Sequence, residues 1–337
     1  MKILITGVAG FLGSHIAEAL LKEGHKVVGI DNLIGGEISN IPEGVEFYEF
    51  DLNNIVQDKR DIFSNVDIVI HCACTPHEGL SVFSPAFVTQ NTFQITANVL
   101  SASARANVKK FVYMSSMARY GSQQTPFTED MTPMPQDPYG IAKYASEMLV
   151  KNVSEVHGMD YAILVPHNII GPRQKYDDPF RNVVSIMINR ALQGKQPIIY
   201  GDGSQMRCFS FVNDLINPIL TACLSDAANG QTINIGPDDE FITINDLAKR
   251  ICDQVGLPCN PIYLPGRPQE VKLANCSADK AREILNYKET INLNQGLSEM
   301  IDWIKANGTK KFKYHLPVEL VKENTPATWT EDLFNTL

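Results

Sequence analysis

The stretch PYGIAK, residues 138–143, sets the phenol of Tyr139 four residues before the ammonium of Lys143. On a helix, positions i and i+4 share a face, so these two groups meet. A free tyrosine titrates at about 10 and is a poor base at neutral pH. A positive charge beside it favours the phenolate, and the pair then becomes a proton-transfer device. Such a device is completed by a hydroxyl at the phenol. Ser116, just beyond the strand-like run KKFVYMS (109–115), is the candidate, with Ser115 beside it. Taken alone, the pair reads equally well as a solvated helix end.

A second signal decides between the two readings. GVAGFLG places glycines at 7, 10 and 13 between the apolar run KILIT (2–6) and the helical stretch SHIAEALLKEG. A turn without Cβ atoms lets the backbone approach a pyrophosphate, and the helix start supplies unpaired N–H groups and a favourable dipole. Asp31 closes the next run, KVVGID (26–31), where a carboxylate accepts hydrogen bonds from a ribose diol and repels a 2′-phosphate. NAD is therefore the expected cofactor rather than NADP, and its positive nicotinamide further favours a Tyr139 phenolate. Lys143 is expected to reach both the phenol and a cofactor ribose. Asp51 and Leu52, after VEFYEF (45–50), are expected to flank the adenine, with a capping role as the alternative for Asp51.

The elements that must position these groups are legible as alternating runs. KILIT, KVVGID, VEFYEF, VDIVIHC (66–72), KKFVYMS, YAILVP (161–166) and QTINIG (231–236) read as strands, and the segments between them carry helical periodicity, notably Phe87 to Ala106. Repeated strand, helix, strand predicts an α/β fold: a Rossmann-type parallel sheet of about seven strands with helices on both faces. Chemistry in such a sheet collects at the carboxyl ends of the strands. The Pro-, Gly- and Arg-richer segments predict a smaller mixed α/β substrate-binding lobe. The expected division is 1–168 with 209–238 for the cofactor domain and 169–208 with 239–337 for the substrate domain.

Composition excludes several classes. With 337 residues and 44% hydrophobic content the chain can bury a large core, while a net charge of −9 without any basic run argues against nucleic acid. An N-terminus running straight into KILITG shows neither a signal peptide nor a spanning helix, so the expectation is a cytoplasmic protein without membrane contact. Seven cysteines without metal-ligand spacing read as reduced thiols, and no metal site is expected. Cys72 and Cys74 read as packing residues on opposite faces of a strand.

Seven stretches in order, TGVAGFLG, DNL (31–33), SSMARYG (115–121), PYGIAK, HNIIGPRQ (167–174), GDGSQMRCFSFVNDL (201–215) and GRPQEVK (266–272), resemble the extended short-chain dehydrogenase/reductase family, in its nucleotide-sugar epimerase and dehydratase branch. The resemblance spans nearly the whole chain. It implies a catalytic set of Ser116, Tyr139 and Lys143. It implies a cofactor set of Gly7, Gly10, Phe11, Leu12, Gly13, Asp31, Asn32, Asp51, Leu52, Cys72 and Ala73, joined by Tyr139 and Lys143. For a UDP-sugar substrate it implies Asn168 at the nucleotide-sugar, Arg207 and Arg267 at the diphosphate and Ala274 at the width of the sugar pocket, with Ser116 at the reacting hydroxyl. Fixed arginine forks suit a dianion in a chain of net charge −9. Cys208 replaces an acidic residue often found in the family.

The reaction implied is 4-epimerisation of a UDP-hexose through a 4-keto sugar, with UDP-GlcNAc and UDP-GalNAc accommodated by the small Ala274. Dehydratase relatives carry an Asp-Glu pair after the serine or threonine, and decarboxylase relatives tend to keep a glutamate at the position of Ala118. Met117 and Ala118 stand there in this chain. The alternatives are a UDP-glucuronic acid 4-epimerase, with Arg119 or Arg173 meeting the carboxylate, or a dehydratase, decarboxylase or dehydrogenase on the same fold. His77 and Glu78, in CTPHEGLS (74–81), face the reactive edge, and His77 either touches substrate or closes a loop. Relatives form homodimers through the helices after Phe87 and Pro138, and a homodimer is expected. The segment with Trp329 and Phe334 is expected to strap across the surface.

Overall fold

A computed structural model of the chain describes residues 1–55 and 61–337. Seven strands form one parallel sheet: β1 (Lys2–Thr6), β2 (Lys26–Asp31), β3 (Glu46–Glu49), β4 (Ile68–His71), β5 (Lys110–Met114), β6 (Asp160–Pro166) and β7 (Gln231–Ile235). Their order is β7-β6-β5-β4-β1-β2-β3. The chain grows outward from β1 to β3, returns to the other side of β1 and grows outward again to β7. β1 and β4 are thus neighbours, with Ile3 opposite Ile68 and Thr6 opposite His71, and a crevice opens beyond their carboxyl ends. Successive residues of β1 serve two different cores: Leu4 packs on one face of the sheet, Ile3 and Ile5 on the other. Burial on both faces explains why central strands such as β1 and β4 read as unbroken apolar runs.

Helices α1 (Phe11–Lys22), α2 (Ile95–Arg105), α3 (Pro138–His157) and, further on, α5 (Val212–Leu224) cover the sheet; α4 (Val183–Leu192), α6 (Ile244–Val255) and α7 (Leu293–Asn307) build the second lobe. Helix α3 starts where Asp137 accepts a hydrogen bond from the Gly140 N–H at 2.9 Å, with Pro138 at its first position. It ends at Gly158, whose φ of 65° is left-handed. Its buried face, Tyr139, Ala142, Lys143, Ser146, Glu147 and Val150, follows the helical repeat.

Three expectations need correction. The helix expected from Phe87 to Ala106 is broken: Asn91 (φ −84°, ψ 16°) sits in a wider turn, and its carbonyl accepts the Thr75 N–H at 3.1 Å. Strand β4 ends at His71, so Cys72 and Cys74 lie in the loop beyond it and both line the cavity described below. The segment with Trp329 and Phe334 is more than a surface strap. Both rings are buried in a cluster with Leu80, Phe83, Phe180 and Ile198.

The second lobe has its own core, in which Val184, Leu247, Ile251, Leu297 and Met300 meet. Its sheets are small: 198–200 pairs with 262–264, and 206–207 lies between 242–243 and 273–274. No helix among the described residues is long and apolar enough to cross a membrane.

Candidate active site

The carboxyl ends of the large sheet open into a cavity of about 460 Å3, bounded on its far side by the second lobe. That volume suits a small molecule held across a domain boundary. Tyr139 and Lys143 project into it from the first turns of α3, and Ser116 from the end of β5. The Tyr139 hydroxyl faces Ser116. The Lys143 ammonium donates to the Met114 carbonyl at 2.8 Å and lies 5.8 Å from the Tyr139 ring centre. Burial pushes the Tyr139 phenol above its ordinary range, while Lys143 and the Ser116 hydrogen bond pull it down. Burial by itself would lower Lys143, but Cys74, Tyr113 and Tyr139 outweigh it and hold the ammonium charged. The pair is therefore poised so that any further positive charge near the phenol shifts it toward phenolate.

The neighbouring hydroxyl has a different task. Ser115 donates to the Glu147 carboxylate inside the protein, which leaves Ser116 as the serine beside the phenol. Ser116 also accepts the Ala118 N–H at 3.2 Å, fixing the turn that follows β5.

The glycine turn occupies the crevice between β1 and β4. At Gly7 (φ +75°) a Cβ would lie 2.9 Å from the Ala73 nitrogen, and at Gly13 a Cβ would lie 2.2 Å from the Gly7 carbonyl oxygen. Any larger residue would fill the cradle or push α1 off the sheet. Gly10 caps α1 without a side-chain partner for the helix, and Phe11 and Leu12 line the cavity. Asp31, at the end of β2, accepts the Ala9 N–H at 3.0 Å and the Leu33 N–H at 2.8 Å. Its two oxygens retain acceptor capacity for a diol. Asn32, Cys72, Ala73 and Leu52 line the same cavity. Asp51 lines it and also caps a short turn, accepting the Asn53 N–H at 2.9 Å.

On the substrate side, Asn168, Arg207, Arg267 and Ala274 line the cavity. Asn168 donates to the Cys208 carbonyl at 2.8 Å. Arg207 is anchored on the Met206, Lys272 and Val271 carbonyls. Arg267 stacks 4.6 Å from the Tyr200 ring centre and pairs with Glu270 at 3.1 Å. His77 lines the cavity and closes a loop as well: its Nε2 meets Asp178 at 3.0 Å. Burial lowers the His77 pKa, while Asp178 opposes that shift.

Arg119 and Arg173 point elsewhere. The Arg119 guanidinium is buried against Glu147 at 3.0 Å, with Tyr120 as a further partner. A guanidinium taken from water needs a fixed counter-charge, and Glu147 provides it. Arg173 pairs with Glu18 on α1 and so holds its loop. One cavity residue gains weight that the sequence did not give it: Cys74, in hydrogen-bond contact with Lys143. Glu78, expected at the reactive edge, lines the cavity and sits among Asp137, Arg207 and Arg267. No grouping of His, Cys, Asp and Glu suited to a metal occurs among the described residues.

The model of the NAD dependent epimerase/dehydratase family matches residues 3–236. The chain belongs to that family. Membership makes it an NAD-dependent enzyme, and the glycine turn, the start of α1 and Asp31 are the groups that fit this cofactor. Among solved structures, the chain is similar to a UDP-glucose 4-epimerase of Thermotoga maritima solved with UDP-glucose: 31% identity, TM-score 0.85, 91% of this chain and 99% of that one. A UDP-glucuronic acid 4-epimerase variant of Bacillus cereus, in complex with NAD and UDP-4-deoxy-4-fluoro-glucuronic acid, is similar at 30% identity and TM-score 0.84 over 91% and 100% of the two chains. A UDP-N-acetyl-alpha-D-glucosaminuronate decarboxylase of Bacillus cytotoxicus shares 31% identity over 90% of this chain and 98% of its own. These family relatives share a UDP-sugar and differ in which sugar and which reaction.

Proposed function

We propose that this family member inverts C4 of a UDP-hexose, interconverting UDP-glucose with UDP-galactose and accepting the N-acetylated pair, through a 4-keto sugar. The observation that carries the reading is the wall beyond Ser116, where Met117 and Ala118 line the cavity and offer no proton to carbons next to C4. The groups beside the phenol can move one proton out and back, and that is the demand of epimerisation.

Tyr139 as phenolate accepts the proton of the 4′-hydroxyl, and Ser116 holds that oxygen by a hydrogen bond. Lys143 stabilises the phenolate and is positioned for the cofactor ribose. Bound NAD supplies a reversible hydride acceptor. When the keto sugar has turned, Tyr139 returns its proton to the same oxygen. Arg207 and Arg267 hold the diphosphate and Asn168 the linkage, so the hexose turns while its handle stays fixed. Buried apolar side chains around the phenol, Val88 and Ala118, keep the proton from leaking to solvent.

In this reading residues 1–168 with 209–238 bind the cofactor and 169–208 with 239–337 bind the sugar nucleotide. Ile141 and Met148, exposed on α3, support a homodimer contact along that helix. The cytoplasm is the compartment expected for such an enzyme.

The test is proton NMR of the purified protein with UDP-glucose, UDP-GlcNAc and UDP-glucuronic acid in separate tubes without added cofactor. A 4-epimer that disappears in Tyr139→Phe supports the reading. A persistent keto product, a decarboxylated sugar or stoichiometric NADH overturns it.

A further inference from the structure

Glu78 begins the short turn 78–81 between the two halves of the cavity. Ser81 donates to the Glu78 carbonyl at 2.7 Å and to the Asp137 carboxylate at 3.3 Å, tying this turn to the cap of α3, two residues from Tyr139. On the other side, a Cβ on Gly79 would lie 3.1 Å from Nη1 of Arg267, so the same turn packs against the diphosphate arginine. A substrate whose reacting carbon meets Tyr139 and whose diphosphate meets Arg207 and Arg267 must lay its hexose past Glu78. The Glu78 side chain is open to the cavity, and Asp137 lines the cavity as well.

The cations of the wall are committed elsewhere. Among the described residues its lysines and arginines are Lys143, Arg181, Arg207 and Arg267. Lys143 donates to the Met114 carbonyl beside the phenol, and Arg181 pairs with Asp178 at 3.2 Å. Arg207 and Arg267 stand at the diphosphate. Arg119, the remaining cation near Ser116 in sequence, is spent on Glu147. Among the described residues, the stretch of wall between the phenol and the two diphosphate arginines therefore carries two carboxyl groups, Glu78 and the helix cap Asp137, and no further cation.

We propose that Glu78 and Asp137 are specificity-determining groups that face the hexose, accept its hydroxyls and refuse a sugar carrying a carboxylate at C6. The proposal rests on the UDP-hexose reading and narrows it to neutral hexoses. A carboxylate set against carboxylates in a partly enclosed cavity is penalised by like-charge repulsion. The protonation of Glu78 agrees: desolvation by the enclosing cavity walls and the Asp137 carboxylate push it up to about 7, Arg207 and Arg267 pull it down, and Glu270 adds to the push. These are the charged groups facing it, from the cap of α3, from the strand at 206–207 and from the loop at 266–272. Discrimination is then strongest above pH 7, where Glu78 is ionised, and weaker below.

Calorimetric titration of the NAD-loaded protein with UDP-glucose and with UDP-glucuronic acid at pH 6 and pH 8 tests this, in the native chain and in Glu78→Gln. At pH 8 the native chain is expected to bind UDP-glucose at least about tenfold more tightly, the equivalent of 1.4 kcal/mol. The ratio narrows at pH 6. Glu78→Gln, which keeps size and hydrogen bonding, is expected to bring UDP-glucuronic acid within about threefold of UDP-glucose at both pH values, less than half the tenfold step in free energy. Equal affinity for the two sugars in the native chain, or an unchanged ratio in Glu78→Gln, overturns the proposal. Failure of the epimerase reading shows separately, as absence of a 4-epimer in the NMR assay while the binding ratio stands.

Discussion

Arg119 and Glu147 form a buried ion pair, N to O 3.0 Å, directly behind the wall that carries Ser116. Glu147 lies two turns along α3 from Tyr139, and it also accepts from Ser115. The pair thereby locks the turn after β5 to the helix that bears the phenol, and it fixes how Ser116 and Tyr139 face each other. Burial pushes the Glu147 carboxyl up, while Arg119 opposes the shift and keeps the pair worthwhile.

Arg119→Ala leaves that carboxylate buried without its partner, so a loss of about 3–5 kcal/mol in urea denaturation is expected. Arg119→Met, which fills the space but also leaves Glu147 unpaired, is expected to lose nearly as much. The double variant Arg119→Met with Glu147→Leu should recover only part of it, because the Ser115 hydroxyl then loses its acceptor, at a cost of about 1–3 kcal/mol. In each variant that folds, kcat falls while KM changes little, because the ion pair positions the proton-transfer groups and does not touch the sugar handle.

Gly13→Ala places a methyl group 2.2 Å from the Gly7 carbonyl oxygen. The methyl group meets backbone and has no rotamer to escape by, so α1 must shift, at a cost of about 1–3 kcal/mol. A lowered Tm together with loss of copurified NAD checks this. A protein of native Tm that still carries NAD would contradict it.

Asp31→Ala removes the acceptor at the end of β2. Loss of a hydrogen bond to a charged group predicts about 1.5–3 kcal/mol weaker cofactor binding, read as the fraction of purified protein holding NAD. The Ala9 and Leu33 N–H groups also lose their acceptor, so the thermal midpoint should fall in parallel.

The large sheet was legible because a parallel strand buried on both faces writes an unbroken apolar run, as in Phe111, Val112, Tyr113 and Met114. The glycine turn and the Tyr139–Lys143 spacing were legible because each is a local pattern. Partners far apart in sequence were not. Nothing near Arg119 announces Glu147, and nothing near Glu78 announces Arg267. The place of Cys74 beside Lys143 is not legible either, because no local pattern marks that the pairing of β4 with β1 and β5 stops at His71. Two-residue strands such as Met206–Arg207 are too short to carry an alternation.

Trp329 packs edge-on against Phe83, with ring centres 5.7 Å apart, and lies 5.3 Å from Phe180. Trp329→Ala is expected to cost about 3–5 kcal/mol. Phe180 and Phe334 also line the cavity, so a rise in KM for the sugar nucleotide should accompany the loss of stability.

The Glu18 carboxyl is held down at about 2 by hydrogen bonds to Lys22 and Arg173. A depressed carboxylate contributes stability above its unfolded pKa, and that contribution is lost as pH falls through the folded value. Glu18→Gln should therefore destabilise the chain at pH 7 by no more than about 1 kcal/mol, because solvent screens the partly exposed pair. The difference should vanish as the pH drops from about 4.5 toward 2, when tracked by chemical denaturation.

The loop after β2 belongs to both halves of the molecule. Gly35 lines the cavity and its carbonyl accepts from Arg181 at 3.2 Å, while Glu37 meets Lys175 at 3.3 Å and Lys310 at 3.4 Å. A ligand that settles this loop from the Asp31 side settles the second lobe with it. Thermodynamic linkage then makes the effect mutual: whatever factor the dinucleotide adds to the affinity for the sugar nucleotide, the sugar nucleotide returns to the dinucleotide. A factor gained at one site is a factor gained at the other, whichever ligand arrives first.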